Sequence, residues 1–193
     1  KADIVLRTNY KMGDPIIKGS KCDINYFNLE TAYYIHQNGC FEWPKKTSWI
    51  VGKAWRYMEM ILKRLSLDGI DIENLNVRTL KRVDLALFNG SLSLIQNIIL
   101  DLSRYNPKEI FLYHFDVMLS KERIAGYYTD VNNNEELHLK MIKCFPGHDP
   151  VTQFLILKSF WKSGFIKGDE RFEEVISMNA ENYMKSMQKK YLN

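Results

Sequence analysis

The sequence has 193 residues, of which 46% are hydrophobic, so it can bury a real core and is interpreted as one domain over residues 1–193. Its 27 basic and 23 acidic residues are spread along the chain, and the net charge of +4 lacks the concentrated basic patch of nucleic-acid binders. Three cysteines without CxxC spacing indicate neither a disulfide framework nor a zinc site. No run approaches the roughly 18 apolar residues of a membrane span and no signal peptide is evident, so a cytoplasmic location is predicted.

The first third of the chain predicts three strands followed by a helix. The β-rich runs are residues 2–9, 21–28 and 47–51. The second run alternates apolar and polar side chains, which is typical of a strand with one buried face. Between residues 53 and 65, apolar side chains recur at helical spacing: Trp55, Met58, Ile61, Leu62 and Leu65. The tryptophans are expected in the core, except that Trp43 is also a candidate surface platform for a sugar: Trp43, Trp49, Trp55 and Trp161.

The middle of the chain predicts a turn, a helix and a strand. A small polar turn around residues 89–93 precedes an apolar helix of about ten residues that ends before Pro107. Residues 108–115 form a continuous apolar and aromatic run, which is typical of a strand covered on both faces, with His114 a satisfied core group. Turn, helix and buried strand indicate a parallel sheet, so the predicted fold class is α/β, with a Rossmann-like, mostly parallel sheet flanked by helices.

The last third predicts two helices. In the first, Asp149 is the expected N-cap, Pro150 occupies the first helical position, and Gly164 is the expected stop. Residues 171–192 are expected to form one final amphipathic helix.

Two small polar turns follow predicted strand ends or precede a helix, where α/β sheets bind ligands. The first contains Arg7 and Asn9, at the end of the first strand. The second contains Ser91 and Ser93, ahead of a helix whose amide groups and dipole favour a phosphate. The alternative is that both segments are only turns and caps.

Four further side chains are candidates for chemistry. His148 precedes a helix start, where a histidine tends to stay neutral as a general base requires; the alternative is a solvent-facing loop histidine. Asp116 follows the end of a predicted strand, where catalytic carboxylates often lie in α/β folds; the alternative is a turn residue that ends the strand. Tyr127 and Tyr128 have hydroxyl groups that can hydrogen-bond a phosphate or a sugar; the alternative is that both side chains only pack against the rest of the protein. No two histidines have a ligand-like spacing, so no metal is predicted.

Taken in order, these elements resemble the motifs of the sialyltransferases. The long motif of that family has a strand of the type DVVIRLN and then a Gly-Ser-Lys turn; residues 3–9 read DIVLRTN and residues 19–21 read GSK. Its short motif is a polar turn, an apolar helix and a strand, to which residues 90–94 and 110–115 are similar.

Two later motifs extend the resemblance. A motif of His-Tyr-Tyr followed by an acid is similar to residues 126–130, which read GYYTD. A final motif of a histidine, four residues and a glutamate is similar to His148 and Gln153. The nucleotide loop of the family, and with it the first strand, is expected before Lys1, as in a truncated chain.

The resemblance implies a transferase of bacterial polysaccharide biosynthesis that uses a CMP-activated acidic sugar and no metal or other cofactor. The acceptor would be an oligosaccharide or glycolipid, with possible peripheral association at the inner face of the membrane and no nucleic-acid partner. His148 would take the proton of the acceptor hydroxyl in an inverting displacement. The remaining roles concern the donor: Arg7 and Asn9 would bind the nucleotide part, Ser91 and Ser93 the phosphate or sugar carboxylate, and Tyr127 and Tyr128 the leaving CMP.

Two other functions remain open from the sequence. The first is a transferase of 3-deoxy-manno-octulosonate (Kdo) from CMP-Kdo, in which Asp116 would be the nucleophile if the reaction retained configuration. The second is a non-enzymatic, all-helical RNA-binding protein of the viral nucleoprotein type, suggested by the composition rich in Lys, Asn and Ile.

Overall fold

The computed structural model describes these parts of the chain: residues 3–8, 21–28, 32, 36–37, 49–53, 55–80, 91–119, 139, 142–143 and 145–192. The chain divides into two compact units, Lys1–Arg82 and Val83–Asn193. Each unit contains a parallel sheet with helices, which confirms the predicted α/β class and is compatible with a Rossmann-like fold. The parallel sheets show that an all-helical fold is wrong for this chain, whereas RNA binding stays an alternative prediction. The interpretation of residues 1–193 as one domain stays a prediction.

The first unit is built on a parallel sheet in which the described strands lie side by side in sequence order. They are β1 (Leu6–Thr8), β2 (Ile24–Phe27), β3 (Trp49–Gly52) and β4 (Asn76–Thr79). Helix α1 (Trp55–Leu67) lies between β3 and β4 in the sequence, so the predicted order of three strands and a helix is confirmed. Strand β4 was not predicted, because its residues NVRT form no apolar run.

Helix α1 covers one face of this sheet. Its fully buried side chains Met58, Ile61 and Leu65 recur at helical spacing and pack in one cluster with Phe27 and Ile50. They lie on the same helix face because residues three, four and seven apart are neighbours on a helix.

Strand β2 is more buried than its alternating sequence predicts. It lies between β1 and β3, and Asn25, Tyr26 and Phe27 are all buried, so both faces of the strand are covered. The predicted strand is therefore confirmed, with both of its faces covered. A central strand buries polar residues that a half-exposed strand would present to water.

The prediction that the tryptophans are core residues is wrong for Trp49 and Trp55, which are both exposed. Trp55 is the first residue of α1, and its indole N–H donates a hydrogen bond of 2.5 Å to Glu59 one turn later. The ring can therefore satisfy its polar group at the helix surface. Trp161 packs against the core of the second unit, and Trp43 lies outside the described residues.

The second unit alternates helices with two short parallel strands. Its described elements are α2 (Leu94–Ser103), β5 (Ile110–Leu112), α3 (Pro150–Lys162), β6 (Ile166–Gly168), α4 (Glu170–Ser177) and α5 (Ala180–Tyr191). Strands β5 and β6 are parallel, with Ile110 opposite Ile166. The core contains Phe154 and Leu157 of α3, and the Phe154 ring stacks on Tyr183 of α5 with centroids 4.2 Å apart.

Strand β5 is shorter and more exposed than predicted. Ile110 is buried, but Phe111 is 55% exposed, so the expected strand with two covered faces over residues 108–115 is wrong. Where the strand ends, Asp169, which follows β6, donates its backbone N–H to Leu112 O at 3.1 Å, and its carboxylate accepts from His114 N at 2.8 Å. His114 is exposed in a turn with φ of 54°, so the prediction of a core histidine is also wrong.

The single final helix predicted over residues 171–192 is two helices. The first ends at Ser177, after which Met178 leaves the helical conformation. Asn179 caps the second, because its side chain accepts a hydrogen bond of 2.8 Å from Asn182 N. The last carbonyl groups of α4 are bound by the Lys158 ammonium, which donates to Ile176 O, Ser177 O and Met178 O. Burial, with a smaller effect of the Lys162 charge, lowers the pKa of Lys158.

Glycines at two strand ends allow different tests of this packing. A Cβ on Gly168 would lie 2.6 Å from the Cβ and 2.2 Å from the Cδ1 of Phe172, whereas a Cβ on Gly52 would lie 2.1 Å from the Met58 sulfur. We expect Gly168→Ala to lower the free energy of unfolding by about 1–3 kcal/mol, because the Phe172 Cβ is fixed to the backbone. Gly52→Ala should cost less, since a thioether can move.

Urea unfolding of the two variants beside the wild-type protein measures both losses. A larger loss in Gly52→Ala than in Gly168→Ala would contradict this packing.

Candidate functional site

The starts of helices α2 and α3 meet in the second unit. Ser91 N donates a hydrogen bond of 2.9 Å to Gly147 O, and the His148 Nδ1 lies 2.8 Å from Ser91 O. The segment 91–93 therefore runs beside the segment 147–149, although the two are more than 50 residues apart in sequence. We call these two segments and Gln153 the Ser91 junction. It brings together three predicted site residues, Ser91, Ser93 and His148.

The hydrogen bond to Ser91 decides the tautomer of His148. A backbone carbonyl oxygen can only accept, so Nδ1 must carry the hydrogen. In the neutral imidazole the lone pair is then on Nε2, and Nε2 makes no hydrogen bond within the described part of the chain. His148 is half-buried, so Nε2 is the ring atom that remains to act on a ligand.

Gln153 joins the two halves of the Ser91 junction. Its Nε2 donates to Ser91 O at 3.1 Å, and its Oε1 accepts from Ser93 N at 2.9 Å. The side chain is buried, and an amide supplies both the donor and the acceptor that the backbone needs there. A glutamate, which the sialyltransferase motif has here, would place a carboxylate oxygen against the Ser91 carbonyl.

The two helix starts differ in the state of their amide groups. Helix α3 is capped as predicted, because the Asp149 carboxylate accepts from Val151 N at 3.1 Å and from Thr152 N at 3.2 Å. Helix α2 follows Ser93, whose side chain makes no cap bond to the helix and donates instead to Gln96 Oε1. No group in the described residues accepts from the amides of residues 94–96, so this helix start suits an anion.

A strained loop follows strand β5. His114, Val117 and Met118 have φ angles of 54°, 51° and 70°, a region that a β-branched residue such as Val117 rarely adopts. Asp116 lies in this loop, and its Oδ2 is buried with no hydrogen-bond partner among the described residues. Backbone strain and an unpartnered polar atom at the end of a parallel strand are typical of functional segments.

Helix α5 holds the strained loop in place. The Tyr183 hydroxyl donates to Val117 O at 2.9 Å, and the Tyr191 hydroxyl and the Lys190 ammonium donate to Met118 O at 2.9 and 2.7 Å. Burial, followed by the charges of Tyr191, Asp116 and Asp149, raises the pKa of Tyr183 above its usual range. The negative charges of Asp116 and of the α3 cap residue Asp149 therefore both raise the pKa of the same buried hydroxyl.

The remaining predicted site residues belong to other parts of the chain. Arg7 lies in β1 of the first unit, where its Nε donates to Lys21 O at 2.9 Å. Asn9, Tyr127 and Tyr128 lie outside the described residues. No three side chains of the types that bind metals cluster within the part of the chain that the structure describes. Of the described helices, none combines the length and apolar character needed to span a membrane.

Sequence reasoning missed Tyr183. No local signal marks it, because its partner Val117 is 66 residues earlier in the chain. The sequence motif did include the spacing between His148 and Gln153. It did not predict that the Gln153 amide contacts both Ser91 and Ser93.

Comparisons with protein-family models, curated proteins and solved structures each give no match for this chain.

The raised pKa of Tyr183 predicts a pH-dependent loss of stability. In the unfolded chain a tyrosine ionises at about pH 10, and the folded protein holds the proton of the Tyr183 hydroxyl more tightly. The resulting stabilisation is complete below that pH and is lost as the pH rises above it. Raising the pH from about 9 to about 11 should therefore lower the unfolding free energy of wild type by about 1 kcal/mol more than that of Tyr183→Phe.

Urea unfolding at both pH values measures the difference, and Tyr113→Phe is the matched control because Tyr113 is exposed. Equal pH dependence in wild type and Tyr183→Phe would contradict the assignment. At about pH 9 Tyr183→Phe should itself be less stable by about 1–3 kcal/mol, because the Val117 carbonyl loses its donor.

Proposed function

We propose that the protein is a Rossmann-like, sialyltransferase-type glycosyltransferase that moves an acidic sugar, sialic acid, from a CMP-activated donor to an oligosaccharide or glycolipid acceptor. The observation that carries the proposal is the bond from His148 Nδ1 to Ser91 O, since it directs the lone pair of the neutral ring to Nε2. A general base needs a fixed tautomer and an available nitrogen. In this proposal Nε2 takes the proton of the acceptor hydroxyl.

The start of helix α2 supports an anionic donor. The amides of residues 94–96 have no acceptor among the described residues, and the positive end of the helix dipole favours a phosphate or carboxylate. Ser93 directly precedes these amides, and Ser91 is bonded to the base. A base and an anion-binding helix start in the same segment suit a reaction in which a hydroxyl is deprotonated while a phosphate leaves.

The other roles in the proposal come from the resemblance to sialyltransferases. Arg7 and Asn9 would contact the nucleotide, and Tyr127 and Tyr128 would stabilise the leaving CMP. No metal or cofactor enters this scheme, and the proposed place of action is the cytoplasm, at the inner face of a bacterial membrane.

The nearest alternative is transfer of Kdo from CMP-Kdo. If configuration is retained, the Asp116 carboxylate is the nucleophile. The observation that favours this alternative is its buried Oδ2, which has no hydrogen-bond partner among the described residues. In the inverting reaction the incoming acceptor oxygen makes the new bond, and Asp116 forms no covalent bond to the sugar.

The test is CMP release from CMP-sialic acid and from CMP-Kdo with the wild type and His148→Ala. We expect turnover of CMP-sialic acid and a loss of at least about 100-fold in His148→Ala, the usual contribution of a general base. Turnover only with CMP-Kdo, lost in Asp116→Asn, would favour the alternative. The absence of turnover and of CMP binding would refute both, and RNA binding would then be measured.

A second pair of variants tests the anion site on helix α2. Ser93→Ala removes the hydroxyl at the start of the helix, whereas Ser103→Ala removes one at its end, where the hydroxyl donates to Leu100 O at 2.7 Å. In this proposal the Ser93 hydroxyl turns from Gln96 Oε1 to the phosphate when CMP binds, so we expect Ser93→Ala to weaken CMP binding by roughly tenfold, as for a lost bond to a charged group. Ser103→Ala should leave the affinity unchanged. Calorimetric titration with CMP measures both, and equal affinities would place the phosphate elsewhere.

A further inference from the structure

One backbone carbonyl serves two side chains at the Ser91 junction. The Ser91 oxygen accepts from His148 Nδ1 at 2.8 Å and from Gln153 Nε2 at 3.1 Å. A carbonyl oxygen has two lone pairs, so both bonds can form together. Their common acceptor couples the position of the imidazole to that of the amide.

The Gln153 side chain is held so that only its nitrogen can face Ser91. Its Oε1 is occupied by Ser93 N at 2.9 Å, and the backbone carbonyl of the same residue accepts from Gln96 Nε2 at 3.2 Å. The residue is 3% exposed, so a rotated amide would leave buried polar groups without partners. The buried amide therefore fixes the orientation of the Ser91 carbonyl.

We infer that Gln153 is a positioning residue that aims the Ser91 carbonyl at Nδ1 and thereby keeps His148 as the Nδ1–H tautomer. The inference concerns the ring itself, and only its consequence for turnover rests on the proposed function. If the carbonyl turned away, Nδ1 would lose its acceptor, and the hydrogen would be shared between the two ring nitrogens. The fraction of protein with the lone pair on Nε2 would then fall.

The chain offers a matched control for this role. Gln96 is a buried glutamine in the same network, and its amide also binds a backbone carbonyl, but that carbonyl belongs to Gln153 and not to Ser91. Gln153→Met and Gln96→Met remove an amide of the same size from equally buried positions. A general loosening of the network would affect His148 in both variants, whereas positioning through Ser91 would affect it only in the first.

The tautomer is measured by the 15N chemical shifts of the imidazole in the uniformly labelled full chain, with the His148 signals identified by their loss in His148→Ala. We expect the Nδ1–H form in wild type and in Gln96→Met, and a ratio of Nδ1–H to Nε2–H lower by about fivefold in Gln153→Met. Gln153→Glu keeps the acceptor for Ser93 N, but its carboxylate places an oxygen that repels the Ser91 carbonyl where the amide donated to it. It should therefore give a shift in the same direction if the methionine variant fails to fold.

An unchanged tautomer in the folded Gln153 variants, or an equal shift in Gln96→Met, would overturn the inference. Turnover of the CMP-sugar is measured on the same samples, and we expect kcat of the Gln153 variants to fall by at most about fivefold, the limit that the tautomer ratio sets, with a smaller change in KM. A tautomer shift without any wild-type turnover would refute the proposed function and support the inference. Wild-type turnover together with an unchanged tautomer in the Gln153 variants would support the proposed function and refute the inference.

Discussion

The shared carbonyl of Ser91 is the interaction on which the Ser91 junction depends. Two chain segments meet there without a strand or helix to pair their backbone groups, and buried backbone groups need partners. His148, Gln153 and Gly147 supply those partners for Ser91, and Gln153 supplies one for Ser93. Asn97 adds bonds of 3.0 Å to Leu92 O and Ser93 O, so the segment is held from several sides. A satisfied buried network of this kind is rigid, which is what a positioned base requires.

The strained loop after β5 depends on a different support. Positive φ angles at Val117 and Met118 cost free energy, and such conformations persist only where surrounding contacts determine them. Donors from helix α5 bind the carbonyl groups of these two residues, while the buried Oδ2 of Asp116 has no hydrogen-bond partner in the part of the chain that the structure describes. Helix α5 thus stabilises the backbone of the loop without binding this carboxylate oxygen.

Local signals account for the elements that the sequence predicted correctly. The apolar spacing of α1, the Asp149-Pro150 start of α3 and the α/β alternation are all visible within short windows. The split between α4 and α5 was also visible, since Asn179 is a good N-cap, but the amphipathic pattern continues across it. The burial of strand β5 was predicted wrongly because an apolar run is buried only where other elements pack against it. That packing depends on the tertiary structure and not on the local sequence. For the same reason Ser91, Ser93 and His148 were each predicted as site residues, but their contact was not. Ser91 and His148 are 57 residues apart in the sequence.

The arrangement of the Ser91 junction bears on the geometry of an inverting displacement. Such a reaction needs the base on one face of the sugar and charge stabilisation for the leaving group on the other, so the distance between the two must stay constant. The carbonyl of Ser91 orients the base, and two residues later the same segment begins the helix whose amides suit the phosphate. Gln153 bonds both Ser91 and Ser93, at the two ends of that segment. Any shift of the segment therefore moves the base and the anion site together, which preserves their spacing in the proposed reaction.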